Sequence, residues 1–229
     1  MTDSHADYEP GVLRVFRGTA ETKAFYNKIA KVYDFLAEES EGPMRDQGLA
    51  MLAPKPGETM LEIGFGTGHC LAKLADAVGP TGKVLGIDLS DGMLEHARQL
   101  LKEKNVAERV ELFCGDAAQL PFAPESLDGI FTSFTLELFD TPEMPGVLAN
   151  WKQALKPGGR LQVVSISKEG PPSLMGKAFE WTHQHFPNLM DCRPIFAGRA
   201  LEAAGFTIAD QKIASMWAPV EIALGVAKT

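Results

Sequence analysis

The stretch Leu61–Cys70, LEIGFGTGHC, begins as a short apolar run, stops at a glycine and then carries glycine at every second position, 64, 66 and 68. An apolar strand that ends in a glycine-rich turn and opens a helix is the repeating unit of an α/β sheet. Its backbone N–H groups and the helix N-terminus then meet a ligand at the carboxyl end of the strands. Glycine lets the backbone turn sharply and approach that ligand without a Cβ in the way.

Working outward, the same alternation continues on the C-terminal side. The apolar bursts TMLEIGF (59–65), KVLGIDL (83–89), RVELFCG (109–115), LDGIFTSF (127–134) and GRLQVVSI (159–166) are rich in Val, Ile, Leu and Phe. Such runs suit parallel strands buried on both faces. Between them, HCLAKLADAVG (69–79), DGMLEHARQLLKEKN (91–105) and TPEMPGVLANWKQALKPGG (141–159) have helical periodicity, the last two ending at Asn or Gly after basic residues. Strand, helix, strand in this order predicts right-handed crossovers and a doubly wound sheet. Beyond Ser167 the pattern changes to a segment rich in Pro, aromatics and His, read as an insertion over one edge of the sheet. A helix ending near Gly205 follows, then FTIADQKIASMW and PVEIALGVA with only a turn around Ala218 and Pro219 between them. So short a link predicts an antiparallel pair.

Composition narrows the function. The chain has 229 residues, 45% hydrophobic and 23% charged, which suits one α/β domain with one core. A net charge of −8 lacks the basic footprint of a nucleic-acid binder. Cys70, Cys114 and Cys192 are odd in number and far apart, forming neither a disulfide framework nor a metal or redox pair, which points to a reducing cytoplasm and to no bound metal. The acidic N-terminus is unlike a signal peptide, and no apolar run is long enough to span a bilayer. Peripheral contact with a membrane surface stays open, because Arg14, Arg17, Lys23, Lys28 and Lys31 lie near apolar Val12, Leu13, Val15 and Phe16. A solvated helix face is the plainer reading of that charge run.

The loop itself argues about its ligand. A dinucleotide fingerprint needs glycine at position 69, where this chain has His69, so the spacing is E-x-G-x-G-x-G with Glu62 in front. A carboxylate under the loop repels a pyrophosphate and suits an ammonium group. Asp88 ends the second strand, where an acid accepts both ribose hydroxyls, and Asp116 follows the third strand within reach of a base's exocyclic amine.

Four stretches in this order, LEIGFGTG, GIDLSDGML, CGDAAQLPF and LKPGGRL, resemble the successive motifs of class I S-adenosylmethionine-dependent methyltransferases, over roughly Met60 to Ile166. The resemblance implies a Rossmann-like α/β fold, a mostly parallel seven-stranded sheet with an antiparallel last strand. It implies S-adenosylmethionine as cofactor, with Gly64, Gly66 and Gly68 along the methionyl portion, Asp88 at the ribose, Asp116 and Ala117 at the adenine, and Glu62 near the ammonium. Phe65, Leu89, Met93 and Ser133 complete the implied cofactor-binding set. For Phe65, packing on the sheet and cation–π attraction to a sulfonium are even readings.

The N-terminal FYNKIAKVYDFLA is similar to a helix of the ubiquinone and menaquinone C-methyltransferases and of bacterial phosphatidylethanolamine N-methyltransferases, matching at Tyr33 and Asp34. That similarity implies a helical cap over residues 1–44, with Tyr33 closing over the cofactor, and Tyr26 is read as a buried staple. A cofactor-binding core over 45–167, a substrate-facing insertion over 168–195 and a last helix with C-terminal hairpin over 196–229 complete one domain. The quinone enzymes' Y-x-Y-L-x-x-S pattern is absent from the insertion. The expected acceptor is a small lipophilic molecule such as a quinol or phenolic lipid, since Trp181, Phe186, Leu189, Met190 and Phe196 crowd that region. A phospholipid amine and a catalytically silent nucleotide-binding module are the alternatives. Methyl transfer needs alignment and dryness more than acid–base groups. Where the acceptor must lose a proton, His183 and His185 are the candidate bases, against an ordinary packing role for them and for His69.

Overall fold

The computed structural model describes residues 12–15, 18–169, 181–182 and 193–228, with the backbone alone for 29–39. Five apolar bursts form the parallel strands β1 (Thr59–Ile63), β2 (Lys83–Asp88), β3 (Val110–Cys114), β4 (Leu127–Ser133) and β5 (Leu155–Ile166). The last two runs form β6 (Phe206–Ser215) and β7 (Pro219–Ala227), an antiparallel pair joined by a tight turn. The order across the seven-stranded sheet is β3-β2-β1-β4-β5-β7-β6, with β7 antiparallel to both neighbours.

Helices cover both faces. The first, α1 (Thr19–Leu52), packs with α2 (His69–Val78) and α3 (Asp91–Glu103) on one side, where Leu52, Leu71, Leu74, Met93 and Ala97 bury against Met60 and Phe131. On the other side α4 (Met144–Ala154) and α5 (Ala197–Ala203) bury Leu148, Trp151 and Leu201 against Leu61, Ile130 and Val163. Among the described α-helices, α3 has a side-chain N-cap. Ser90 accepts the Met93 N–H at 3.1 Å, relieving one of the donors left unpaired in a first turn.

Three expectations need correction. Strand β3 is only half-buried, because it is the sheet edge and has one neighbour. Helix α4 stops at Ala154 rather than at the glycines, since Leu155 already pairs with Leu127 and LKPGG enters β5 through a register shift. The boundary at residue 44 falls inside α1, which runs unbroken past Pro43. Gly48 lets that half of the helix approach the sheet closely. A Cβ there would lie 2.5 Å from Val164 Cγ2 and 3.1 Å from Phe131 Cε2, so the helix backbone rests directly on β4 and β5. No helix among the described residues is long and apolar enough to cross a membrane.

Candidate functional site

Between β1 and β4 the strand order reverses, and the loops there part to leave a crevice at the carboxyl ends of the strands. A cavity of about 580 Å³ lies in that crevice, lined from the loops after β1, β2, β3 and β4 and roofed by α1. Its size is that of an ordinary small-molecule site.

The glycine loop forms one wall. Gly64, Gly66 and Gly68 all have positive φ, at 70°, 52° and 93°, a region that side chains with a Cβ avoid. Their surroundings differ. A Cβ on Gly64 would sit 2.1 Å from Thr135 Oγ1, and one on Gly68 would sit 2.9 Å from Ala97 Cβ, so these two glycines allow the loop to pack on β4's turn and on α3. Only at Gly66 is the added space open, and Gly66 lines the cavity. Gly68 lies outside the cavity wall and precedes α2.

Two carboxylates meet at this wall. Asp88 accepts the Gly66 N–H through Oδ2 and the Ser90 N–H through Oδ1, each at 2.9 Å, so it pins the glycine loop to the start of α3. Burial pushes its carboxyl up to about 6, against the pull of those N–H donors. Glu62 is 2% exposed, and its Oε2 has no hydrogen-bond partner among the described residues. Burial holds the Glu62 carboxyl well above the usual range, Arg45 draws it down, and Asp88 adds to the rise. A buried acid left half unsatisfied in a cavity wall is a place for a cationic ligand group.

The opposite end is more polar and better solvated. Asp116 lines the cavity, is exposed, and accepts the Ala118 N–H at 2.9 Å. Trp151 fixes the same loop from below, donating its ring N–H to the Ala117 carbonyl at 2.7 Å. Leu89, Met93, Ala117 and Ser133 also line the cavity, and so does Phe65, whose ring is buried against Gly86. Phe65 therefore packs on the sheet and faces the cavity at once.

The turn after β4 supplies the remaining wall. Phe134 has φ of 51°, uncommon for a bulky residue, and lines the cavity beside Thr135 and Leu138. Behind this turn Glu137 is fully buried. Its Oε1 accepts the Ile166 N–H at 3.1 Å, while Oε2 has no partner among the described residues. Burial, with some repulsion from Glu41, pushes the carboxyl up to about 8, although Arg193 pulls the other way. Arg193 is itself fully buried. It donates to the Glu137 carbonyl at 2.5 Å, to Thr141 Oγ1 at 2.9 Å and to the Leu13 carbonyl. It thus ties residues 12–15 to the turn, and Arg14 reinforces the tie by gripping Asp140 at 2.6 Å.

Of the α1 residues that line the cavity, Thr19, Thr22, Glu41 and Arg45 escaped the sequence reading, while Tyr26, read as a staple, both packs against the core and faces the cavity. The signal for Glu41 and Arg45 was present. They fall in phase with Gly48 and Leu52, on the stripe of α1 that faces the sheet, where a charge needs a reason. The side chain of Tyr33 lies outside the described residues, as do His183, His185, Phe186, Leu189 and Met190. Trp181 is 55% exposed. Of the basic N-terminal group, Arg14 and Lys23 are engaged within the chain, Lys23 reaching Asp91 at 2.8 Å. Among the described residues no cluster of three or more His, Cys, Asp or Glu could hold a metal.

Residues 60–159 match the model of a family described as a methyltransferase domain. The chain is 33% identical over 159 residues to the ubiquinone/menaquinone biosynthesis C-methyltransferase UbiE of Ectopseudomonas mendocina, an alignment covering 68% of this chain and 61% of that one. It therefore spans a little under two thirds of that relative's length. It is 30% identical over 202 residues to the nocamycin O-methyltransferase of Saccharothrix syringae, covering 79% of this chain and 70% of the relative. Among solved structures, the [4+2]-cyclase SpnF superposes with a TM-score of 0.76 over 96% of this chain and 99% of its own, at 16% identity. At that identity the likeness extends to the fold alone.

Proposed function

This chain belongs to the class I S-adenosylmethionine-dependent methyltransferases, and from that premise we propose that it methylates a small lipophilic acceptor, a quinol or phenolic lipid first and a phospholipid amine second. The observation that carries the reading is the chemistry of the cavity: Glu62 with a buried oxygen that has no partner among the described residues, Gly66 open beside it, Asp88 at the end of β2 and Asp116 at the rim. These groups fit an amino acid, a ribose and a base in turn.

When bound, S-adenosylmethionine supplies a methyl group on a sulfonium sulfur that is already an activated leaving group. The residues of this chain bind, align and exclude water. Glu62 would hold the ammonium, Asp88 the ribose hydroxyls, and Asp116 the adenine amine. Leu89, Met93 and Ala117 would sandwich the base, and Phe65 and Ser133 would flank the reacting end. For the acceptor, Val15, Phe134, Leu138 and Phe139 give the cavity an apolar side suited to an aromatic or lipid molecule. The names of the two relatives, a quinone-biosynthesis C-methyltransferase and an O-methyltransferase, support transfer to a small molecule at carbon or oxygen. His183 and His185 remain the proposed proton acceptors and Tyr33 the proposed cover, in a soluble cytoplasmic enzyme.

Methyl incorporation from labelled S-adenosylmethionine into a panel of quinols, phenols, phospholipid amines and sugars tests this. Transfer to quinols or phenols, slowed in His183→Ala or His185→Ala with cofactor affinity unchanged, is expected. Transfer confined to water-soluble amines or sugars, with both variants at the wild-type rate, would overturn the acceptor class.

A further inference from the structure

Resting on the acceptor reading above, we propose that Glu41 of α1 recognises the acceptor, taking a hydrogen bond from a hydroxyl of a neutral ring and turning away acceptors that carry a phosphate or a carboxylate. Glu41 lines the cavity, and its side chain is 19% exposed. The chain leaves α1 at Leu52 and enters β1 at Thr59, so α1 runs back along the sheet toward the carboxyl ends of the strands. From Gly48, seated over Phe131, the helix rises about 10 Å in reaching Glu41. From Phe131, β4 also advances about 10 Å in reaching Phe134. Glu41 therefore stands level with the turn after β4. Its charge acts on Glu137 behind that turn, which agrees with the placement. Phe134 and Leu138, on the apolar side suited to the acceptor, belong to the same turn and the short helix after it.

Charge narrows the class of acceptor. Arg45 is the one cationic side chain among the described residues that line the cavity, and Glu41 approaches it at 4.0 Å. With Glu62, Asp88 and Asp116 given to the cofactor, the acids left for an acceptor are Glu41, Asp140 and Glu143, and Asp140 is gripped by Arg14. An ionised carboxylate accepts hydrogen bonds and donates none, so it matches an O–H and repels an anion. In a partly buried wall both effects are stronger than in water. The two acceptors named above separate on this ground: a quinol or phenol brings a neutral hydroxyl, whereas a phospholipid amine brings its phosphate to an acidic wall.

Calorimetric titration of the protein loaded with S-adenosylhomocysteine tests this without turnover. The probes, kept under nitrogen, are naphthohydroquinone, its dimethyl ether and dihydroxynaphthoate. Wild type should bind the hydroquinone tenfold or more tightly than either the ether or the anion. Glu41→Leu, matched by thermal melting, should bring hydroquinone and ether within threefold of each other. Glu41→Gln, which keeps the size and loses the charge, should bring the anion within threefold of the hydroquinone, and it decides alone if Glu41→Leu melts early. Both variants should bind S-adenosylhomocysteine within threefold of wild type. If wild type shows no preference, if the preference survives substitution, or if S-adenosylhomocysteine weakens as much as the hydroquinone, Glu41 serves Arg45 or the fold, and the proposal fails while the acceptor reading stands. If wild type binds none of the three probes, the acceptor reading itself fails and takes the proposal with it.

Discussion

Glu137→Gln is expected to stabilise the protein, by an amount set by pH. In the native chain the Glu137 carboxyl is pushed from 4.5 up to about 8, chiefly by burial behind the β4 turn. The sign follows from which state binds the proton more tightly. Below pH ~4.5 the group is protonated in both states and there is no penalty. Between ~4.5 and ~8 the unfolded chain ionises while the native chain does not, so stability falls by roughly 1.4 kcal/mol per pH unit. Above ~8 both states are ionised and the penalty stays at its maximum. Glutamine keeps an oxygen for the Ile166 N–H and never ionises, so it escapes this loss. Denaturant unfolding of both proteins from pH 5 to 8 should give a stability difference that grows to about 3 kcal/mol near pH 7, on top of a constant offset of about 1 kcal/mol for repacking the amide. All other titrating groups cancel in that difference, including Glu41 and Arg193, which face Glu137 in both proteins. A difference that stays flat across the range would refute the idea that Glu137 is held neutral.

Asp88→Ala should lower S-adenosylmethionine affinity tenfold or more by calorimetry, through lost ribose contacts of about 1.5–3 kcal/mol each and a loosened Gly66 turn. In the wild type the same affinity should decline as pH falls through about 6, where the raised Asp88 carboxyl takes up its proton and ceases to accept from both hydroxyls. Gly64→Ala should fail to reach a native melting transition, because its Cβ meets Thr135 at 2.1 Å, whereas Gly66→Ala should melt within a few degrees of wild type and bind cofactor poorly. Trp151→Phe should cost about 1–3 kcal/mol in denaturant unfolding, the penalty for leaving the Ala117 carbonyl unpaired in a buried setting.

The parallel half of the fold was legible because strands buried on both faces must be apolar throughout, which makes 59–65 or 159–166 stand out from their surroundings. The hairpin of β6 and β7 was legible from link length alone. Helix α1 was legible only in part, since the helical cap was expected to end at residue 44 and the helix runs on to Leu52. Its continuity comes from contact with Val164 and Phe131, more than eighty residues further along the chain. At the site, Glu62 and Asp88 sit in the last residues of β1 and β2 and Asp116 just past β3, so they could be found by position. Glu137 could not be. Its burial is set by Ile166 and Arg193, which reach it from later parts of the chain, and nothing in SFTLELFD marks one acid as special.

The sheet order also governs the history of each new molecule. Strand β7 lies between β5 and β6, yet it is made after both. While it is still inside the ribosome, β5 presents Val163, Val164 and Ile166 along an open edge, and β6 has no neighbour to pair with. The nascent chain therefore carries an uncapped, apolar strand until its last strand arrives, and that interval is when it is most exposed to joining another copy. Once β7 is seated, the exterior strand becomes β6, whose exposed run from Ala209 to Ile213 carries the charges Asp210 and Lys212 and begins at a register shift between Ile208 and Asp210, a poor template for further growth. Closure of this side of the sheet therefore waits on β7, the strand made after both of its neighbours.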